Sequence, residues 1–199
     1  MDTAAPDFFT KARKTKETDV RVSIRVNGSG QTDISTGAPF LDHMLVLFAV
    51  HGLFDLSIHA VGDTDVDYHH TVEDVGLVLG ETLAEALGDR ASLRRYGHAV
   101  IPMDESLASV AVDLSKRPFL VFNVPFASPF ISSFDTQLFK EFFRALAQKG
   151  GLTCHINVLY GENDHHKIEA AFKAFGRALD QATQEDSRVR GVPSSKGVL

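Results

Sequence analysis

The sequence predicts an α+β fold built from one half-molecule that occurs twice. Stretches that alternate apolar and polar residues indicate strands, and apolar stripes at helical spacing indicate helices. In addition, a pair of histidines followed three residues later by a glutamate occurs twice, as DYHHTVED (67–74) and NDHHKIEA (163–170). The equivalent histidines and glutamates of the two motifs are 96 positions apart. A fixed separation of this kind is typical of a repeated structural unit.

The first half is predicted to contain strand, strand, helix, strand and helix in that order. DVRVSIRV alternates as a half-buried strand does, and NGSG predicts a hairpin turn into the strand QTDIST. APFLDHMLVLFAVHG is an apolar helix that ends at His51 and Gly52, and LFDLSIHAVG alternates as a strand. HHTVEDVGLVLGETLAEALG predicts a helix that ends at Gly88, with one apolar stripe formed by Val72, Val75, Leu79, Leu83 and Leu87.

The second half repeats this order. SLASVAVDLS and RPFLVFNV predict strands, DTQLFKEFFRALAQKGG predicts a helix that ends in glycines, and LTCHINVLYG predicts another strand. The last helix, HHKIEAAFKAFGRALDQA, places Ile168, Phe172, Phe175 and Leu179 on its inner face. Each half alone would leave a sheet face uncovered, so we expect the halves to pack together. The predicted repeats are about 14–90 and 91–184 of a single 1–199 domain, followed by an irregular arm at 185–199.

Composition restricts the classes of function. The 199 residues suit one domain, and a net charge of −6 argues against a nucleic-acid-binding surface, which requires a dense basic patch. The single cysteine, Cys154, cannot form an internal disulfide. The first residues contain no apolar core of signal-peptide length, and the run LVLFAV is too short to cross a membrane. We therefore expect a cytoplasmic protein without a membrane partner.

The repeated motif predicts metal ligands. Residues three apart lie on one helix face, so His70 with Glu73, and His166 with Glu169, could each hold one cation. His69 and His165 point roughly 100° away around the helix axis and would serve different ions. In the preceding helices His43 and Glu141 stand at nearly matching positions, which completes two comparable ligand sets. Imidazole and carboxylate without thiolate suit manganese, iron or zinc.

A single short motif of this kind more often lies on a solvated helix end, but two copies at matching points favour metal binding. The remaining histidines have structural interpretations: His51 as a helix cap, His59 on a strand face, His98 in a loop and His155 in strand packing. Lys173 lies four residues after Glu169 on the same face. It could form a surface ion pair with Glu169 or contact a substrate, and the spacing leaves both open.

The chain resembles the imidazoleglycerol-phosphate dehydratase family of histidine biosynthesis. The resemblance rests on FLDHML, HGLFDL, DYHHTVEDVGLVLGETL, RYG, DLSKRPFL, FFRALA, HHKIEAAFKAFGRAL and PSSKGVL, in this order from about residue 14 onward. We expect the monofunctional form of the family, without an additional phosphatase domain. The resemblance implies a four-stranded sheet and two helices in each half. It also implies a 24-subunit homo-oligomer with active sites at subunit interfaces.

The resemblance further implies a pair of Mn²⁺ ions in each active site. The residues that fall on the family's metal ligands are His43, His69, His70, Glu73, His165, His166 and Glu169. Many relatives have EHFF where this chain has KEFF, so Glu141 replaces a histidine ligand of the family. A carboxylate is still a suitable ligand for the hard manganese ion.

The reaction implied is dehydration of D-erythro-imidazoleglycerol phosphate to imidazoleacetol phosphate. The carbon-bound proton has no neighbouring carbonyl, so the imidazole ring has to carry the electrons. Metal-stabilised imidazolate would expel the hydroxyl and give a diazafulvene, which loses a proton to form the enol and then the ketone. We expect the catalytic residues to be Glu17, Glu169 and His43. Asp104 and Glu105 are interpreted as loop residues rather than catalysts.

By the same resemblance, the phosphorylated imidazole substrate would be held by Glu17 on its glycerol side and by the phosphate-side residues Arg95, Arg117, Ser195 and Lys196. Lys173 is a further candidate for this group because of its position on the helix face. Three other functions remain open at this point. A two-metal phosphate-ester hydrolase would release inorganic phosphate. A metal-storage helical bundle would contain Glu-x-x-His in long helices without intervening strands. A purely structural metal site would leave the basic arm unexplained.

Overall fold

The computed structural model describes residues 8–197, which form two α+β halves of matching topology. The first half contains β1 (Phe9–Lys14), β2 (Thr18–Arg25), β3 (Thr32–Ser35), α1 (Pro39–Gly52), β4 (Asp55–Gly62) and α2 (His69–Leu87). The second contains β5 (Tyr96–Met103), β6 (Ser106–Asp113), β7 (Phe119–Asn123), the short hairpin β8 (Phe130–Ile131) and β9 (Phe134–Asp135), α3 (Gln137–Gly150), β10 (Thr153–Tyr160) and α4 (Asp164–Thr183). Within this part of the chain, every helix is too short or too polar to cross a membrane.

Each half forms one four-stranded mixed sheet, in the order β1-β2-β4-β3 and β5-β6-β10-β7. In both sheets the last pair is parallel, β3 with β4 and β7 with β10, and the other pairs are antiparallel. The predicted α+β class and the duplicated half are therefore confirmed, and β1 and β5 are the extra strands. β1 ends at Lys14, where the first repeat was predicted to begin.

The predicted NGSG hairpin is wrong. β3 does not pair with β2 but lies parallel to β4, which separates the two strands. A parallel pair requires a crossover connection, and α1 provides it. The loop before β3 is held by the buried carboxylate of Asp55, which accepts the backbone N–H groups of Ser29 at 2.7 Å and Gln31 at 2.9 Å and pairs with Arg25. These interactions hold the loop before β3 against the first residue of β4, which is incompatible with the predicted NGSG hairpin turn.

The helices pack across the two halves. α1 of the first half contacts α4 of the second, and α3 of the second half contacts α2 of the first. The predicted inward stripes of α2 and α4 are buried. A glycine allows close approach at each crossing: an added Cβ at Gly176 would lie 2.5 Å from the carbonyl oxygen of Phe48, and one at Gly80 would lie 2.7 Å from that of Leu146. Gly80 and Gly176 are separated by the same 96 positions as the histidines.

Candidate metal and substrate site

The crossing of α1 and α4 brings together His43, His165 and Glu169, which we call the His43 cluster. One carboxylate oxygen of Glu169 lies 3.2 Å from Nε2 of His165 and 3.7 Å from Nε2 of His43. One potential ligand atom from each residue lies within 4.8 Å of the others. Lys173 donates to the second oxygen of Glu169 at 2.6 Å. Burial raises the pKa of Glu169, but the hydrogen bond from Lys173 and the nearby charges lower it below its ordinary value.

The crossing of α2 and α3 brings together His69, Glu73 and Glu141, which we call the Glu141 cluster. Nε2 of His69 lies 3.7 Å from Oε2 of Glu73, and His69 and Glu141 line the same cavity of about 450 Å³. Arg144 contacts the carboxylates of both glutamates, at 3.8 Å from Glu73. Its Nη2 forms an ion pair with the buried Oε2 of Glu141.

Among the residues that the structure describes, His43, His165 and Glu169 have the spacing of a cation site, and both clusters contain suitable donor types. Both combine imidazole with carboxylate, as hard to borderline metal ions prefer, and neither contains a thiolate. Cys154, the only thiol, is buried in the core on β10. In the Glu141 cluster the two carboxylates are paired with the Arg144 guanidinium, and a bound cation would take the place of that positive charge.

The predicted pairing of ligands along the helices needs correction. Within each motif the first histidine, not the second, meets the glutamate: His69 with Glu73 and His165 with Glu169. At about 3.6 residues per turn, residues four apart are about 40° apart around the axis, whereas residues three apart are about 60° apart on the other side. The prediction that neighbouring histidines diverge is confirmed, because the second histidines turn away and contact other carboxylates.

His70 and His166 are each held through Nδ1. Asp63 lies 2.9 Å from Nδ1 of His70, and Glu105 lies 2.7 Å from Nδ1 of His166. These hydrogen bonds raise the pKa of both histidines above its ordinary value. The pKa of Glu105 is lowered, first by the N–H of Asn163 and then by His166. Sequence reasoning missed Asp63, although a carboxylate directly after β4 and shortly before a histidine pair was a usable signal.

Two polar residues hold the starts of the ligand helices. Oδ1 of Asp67 accepts the backbone N–H of His69 at 2.7 Å, and Oδ1 of Asn163 accepts that of His165 at 2.9 Å. The separation of Asp67 and Asn163 is again 96 positions. Side-chain oxygens at these positions satisfy free N–H groups of the first turn. The repeat therefore extends from the ligands to the residues that fix their helices.

The predicted catalytic residue Glu17 lies in the turn between β1 and β2. Its side chain is 58% exposed, and Oε2 lies 4.0 Å from Nδ1 of His70. Its backbone is fixed, because its N–H donates to Oγ1 of Thr15 and its carbonyl accepts the N–H of Asp63 at 3.1 Å. Glu17 thus stands beside a predicted ligand with its carboxylate open to solvent.

The predicted phosphate-side residues fall into two groups: Lys173 lies in the His43 cluster, and the others lie near the C-terminal arm. Asp113 joins Arg95, at 2.7 Å, to Arg117, at 3.5 Å, and Arg95 also donates to the carbonyl of Pro193 in the C-terminal arm. The pKa of Arg95 is raised by the hydrogen bond to Asp113. Two predicted residues of the arm, Ser195 and Lys196, are exposed.

The structure places these arginines far from the His43 cluster of the same chain. The backbone N–H of Arg95 donates to the carbonyl of Ala182 near the end of α4, whereas His165 stands at its start. Because a helix rises 1.5 Å per residue, Ala182 and His165 are about 25 Å apart along α4. Lys173, by contrast, lies inside the His43 cluster, and its pair with Glu169 is largely buried.

The remaining histidines have local partners or exposed positions. The carbonyl of His51 accepts from Arg177, and burial, followed by Lys173 and Arg177, lowers the pKa of His51. His59 contacts Asp33 at 2.9 Å across neighbouring strands, and the N–H of His98 donates to Gln181. His155 is exposed on β10.

Comparison with known proteins identifies a single family. Residues 36–179 match the sequence model described as imidazoleglycerol-phosphate dehydratase. Proteins of that name from Syntrophobacter fumaroxidans and Geobacter sulfurreducens are 59% and 57% identical to this chain over 190 residues. The aligned region covers 96% of this chain in both cases, and 96% and 97% of the respective relatives.

Solved structures agree with the sequence relatives. The crystal structure of imidazoleglycerol-phosphate dehydratase from Staphylococcus aureus subsp. aureus N315 superposes with a TM-score of 0.82 at 43% identity, covering 90% of this chain and 100% of that one. The Pyrococcus furiosus enzyme, in complex with (S)-C348, superposes with a TM-score of 0.80 at 42% identity, covering 95% and 100%.

Proposed function

Because the chain belongs to the imidazoleglycerol-phosphate dehydratase family, we propose that it dehydrates D-erythro-imidazoleglycerol phosphate to imidazoleacetol phosphate in histidine biosynthesis. The observation that carries the proposal is the pair of donor clusters, each assembled from both halves of the duplicated fold. Two such clusters suit a substrate whose five-membered ring has two nitrogens. A helical metal-storage bundle does not fit, because strands intervene between the helices.

The His43 cluster and the Glu141 cluster would each contribute ligands to one Mn²⁺ ion. His70 and His166 present Nε2 as a further donor, since Nδ1 of each already has a carboxylate partner. Bound Mn²⁺ would act as a Lewis acid on the imidazole ring, lowering the pKa of its nitrogens. Arg144 would have to release the two glutamates of the Glu141 cluster when the metal enters.

The reaction also requires a proton to move at the glycerol carbons. The ring nitrogen loses a proton, the carbon–oxygen bond breaks, and the hydroxyl leaves as water with a proton from a general acid. The diazafulvene so formed then loses its carbon-bound proton to a general base and gives the enol and the ketone. Glu17 can serve in these transfers because its carboxylate is exposed beside His70 and is not occupied by strong hydrogen bonds. His43 and Glu169 would act at the ring through the metal.

The phosphate group would be bound by residues of more than one subunit. Lys173 belongs to the His43 cluster, whereas the backbone of Arg95 lies about 25 Å away along α4. Arg117 and the C-terminal arm are joined to Arg95 through Asp113 and Pro193. A phosphorylated glycerol side chain cannot span that distance. The separation therefore supports a homo-oligomer in which a second copy supplies the arginines and the arm, and the family resemblance suggests 24 subunits.

The proposed reaction is tested by stripping the metal and restoring Mn²⁺ alone. We expect the apo-protein to be inactive and the manganese-loaded protein to form the ketone from imidazoleglycerol phosphate without releasing phosphate. Release of inorganic phosphate would instead favour the alternative two-metal phosphate-ester hydrolase. Ketone formation by fully stripped protein would contradict the role of the metal.

The shared site is tested by subunit complementation. Glu169→Gln disables the His43 cluster and Arg117→Ala removes a phosphate ligand, so each variant alone should be inactive. When both are dissociated, mixed and reassembled, some sites regain an intact Glu169 and an intact Arg117 from different chains, and activity should return. The control is the same two preparations mixed without dissociation. A reassembled mixture that remains inactive would show that one chain supplies both residues.

A further inference from the structure

We propose that Asp63 is a positioning residue that holds His70 through Nδ1 and thereby leaves Glu17 free for proton transfer. The inference rests on the proposed function, in which His70 is a ligand and Glu17 moves protons. It follows from a comparison of the two halves around their second histidines.

Glu17 and Glu105 are equivalent residues of the duplicated unit. Each immediately precedes the second strand of its half, because Thr18 begins β2 and Ser106 begins β6. Each also approaches Nδ1 of the second histidine of its own half, Glu17 at 4.0 Å and Glu105 at 2.7 Å. Two glutamates of common structural origin therefore stand at different distances from the same kind of partner.

Glu105 is fully engaged. One oxygen accepts the hydroxyl of Ser106 at 2.9 Å and the backbone N–H groups of Glu162 at 3.1 Å and Asn163 at 2.8 Å. The other oxygen accepts from His166. This carboxylate joins the turn before β6 to the start of α4 and cannot leave without breaking four hydrogen bonds. Its role is to hold His166.

Glu17 lacks these interactions because Asp63 replaces it. Both oxygens of Asp63 lie within hydrogen-bond distance of Nδ1 of His70, at 2.9 and 3.2 Å. Asp63 directly follows β4, and the residue that directly follows β10 is Gly161, which has no side chain. The first half therefore has two carboxylates at Nδ1 of its histidine, whereas in the second half Glu105 alone contacts Nδ1 of His166 and Asp104 lies 3.9 Å from Nε2.

A carboxylate on one ring nitrogen orients a histidine and makes the other nitrogen available as a metal ligand. Asp63 and Glu105 would thus direct Nε2 of His70 and His166 toward the ions. Because Asp63 contacts Nδ1 of His70 in the first half, the carboxylate of Glu17 does not form that hydrogen bond. The duplicated glutamate has become a reactive residue in one half and a structural one in the other.

The test is a manganese titration of the stripped protein, with free Mn²⁺ followed by electron paramagnetic resonance. We expect Asp63→Ala and Glu105→Ala to weaken Mn²⁺ binding about 10- to 100-fold, as removal of such supporting carboxylates usually does. Asp63→Asn, whose amide oxygen can still accept from Nδ1, should recover most of this affinity. Glu17→Gln should bind Mn²⁺ within about twofold of the wild type while kcat falls about 100-fold or more.

A matched control is available in Asp33→Asn. Asp33 contacts His59 at 2.9 Å on the exposed face of the first sheet, so the same kind of pair is altered away from the clusters. Its Mn²⁺ affinity and turnover should equal those of the wild type. Melting temperatures of all variants separate loss of the ligand from loss of the fold, and Asp63→Asn preserves the shape of the side chain.

Two results would overturn the inference. Wild-type Mn²⁺ affinity in folded Asp63→Ala would show that Asp63 does not position a ligand. Equal loss of affinity in Glu17→Gln and Asp63→Ala would show that Glu17 is not free. The titrations measure Mn²⁺ affinity and therefore test the inference independently of turnover. Failure of the wild-type protein to dehydrate the substrate would instead contradict the proposed function.

Discussion

The His43 cluster and the Glu141 cluster are built in the same way but differ in charge. Each combines a histidine and a glutamate four residues apart on one helix with a side chain from a helix of the other half. The His43 cluster contains two imidazoles and one carboxylate, whereas the Glu141 cluster contains one imidazole and two carboxylates. Each has one basic neighbour, Lys173 or Arg144.

The difference shows which features the duplication has preserved. The crossing glycines, the helix-start residues and the four-residue ligand pairs recur in both halves, so the geometry of the clusters is common. The ligand on the crossing helix and the basic neighbour have changed. Because a guanidinium or ammonium group can offset an added carboxylate, a change from nitrogen to oxygen ligand does not require a change of fold.

The largest expected effect on turnover comes from replacing the glutamate of the repeated motif in either cluster, Glu169 or Glu73. Glu169→Gln and Glu73→Gln should each lower turnover about 1000-fold, because a metal Lewis acid contributes several kcal/mol to such reactions. Metal analysis should show one Mn²⁺ per chain in each variant instead of two. Glu85→Gln, on the exposed face of α2, is the control and should keep both ions. Full activity with a single ion would break the equivalence of the clusters.

The difference between the clusters is tested at position 141. Glu141→Ala should weaken Mn²⁺ binding in the Glu141 cluster, whose other two donors remain, and lower turnover about 100-fold. Glu141→His, which copies the donor set of the His43 cluster, should keep turnover within about 10-fold and shift metal preference from Mn²⁺ toward Zn²⁺, because nitrogen ligands favour zinc. Competition titrations with the two metals measure the shift, and His43→Glu is the reciprocal variant. If Glu141→His and Glu141→Ala behaved alike, Glu141 would not be a ligand.

The common geometry is tested at the helix crossings. Gly176→Ala and Gly80→Ala place a methyl group 2.5 and 2.7 Å from a carbonyl oxygen of the facing helix. Such overpacking should lower the free energy of unfolding by about 3 kcal/mol in each variant. Urea denaturation measures the loss, and Gln148→Ala on the exposed face of α3 should change it by less than about 0.5 kcal/mol. A clear effect at only one glycine would mean that the crossings are not equivalent.

Sequence patterns predicted the features that depend on local periodicity. The stripes of α2 and α4, the helix ends at Gly88 and Gly151 and the twofold repeat follow from spacing along one chain, and all are observed. The proposed ligand residues came from the family resemblance together with the repeat, and the structure brings His43, His165 and Glu169 together. These features require no knowledge of which element packs against which.

The features that depend on long-range contacts were not predictable in this way. The NGSG turn has hairpin composition, but the carboxylate of Asp55, 26 residues after Ser29, decides its path. The neighbour of Glu73 depends on side-chain direction, so spacing alone did not show that Glu73 lies beside His69 rather than His70. Asp63 acts only because the end of β4 meets the start of α2, and the distance between Arg95 and the His43 cluster depends on how α4 lies along the sheet.

The smallest expected effect concerns Asp55 and Thr153, the first residues of β4 and β10. Asp55 holds the loop before β3, whereas Thr153 holds the loop before β7 through its hydroxyl, which donates to the carbonyl of Arg117. Burial, the largest influence, raises the pKa of Asp55, but the N–H groups of Ser29 and Gln31 and the charge of Arg25 together lower it to about 2.

Because the pKa of Asp55 is lower in the folded state, its ionised form stabilises the fold above the unfolded value near 4, and this contribution is lost as the pH falls toward 2. The contribution is about 2 kcal/mol. Urea denaturation between pH 5 and pH 2 should therefore show a smaller decrease in stability for Asp55→Asn than for the wild type, by about this amount. Thr153→Ala should leave the slope with pH unchanged. An identical slope in Asp55→Asn would show that the two loops do not differ in their dependence on charge.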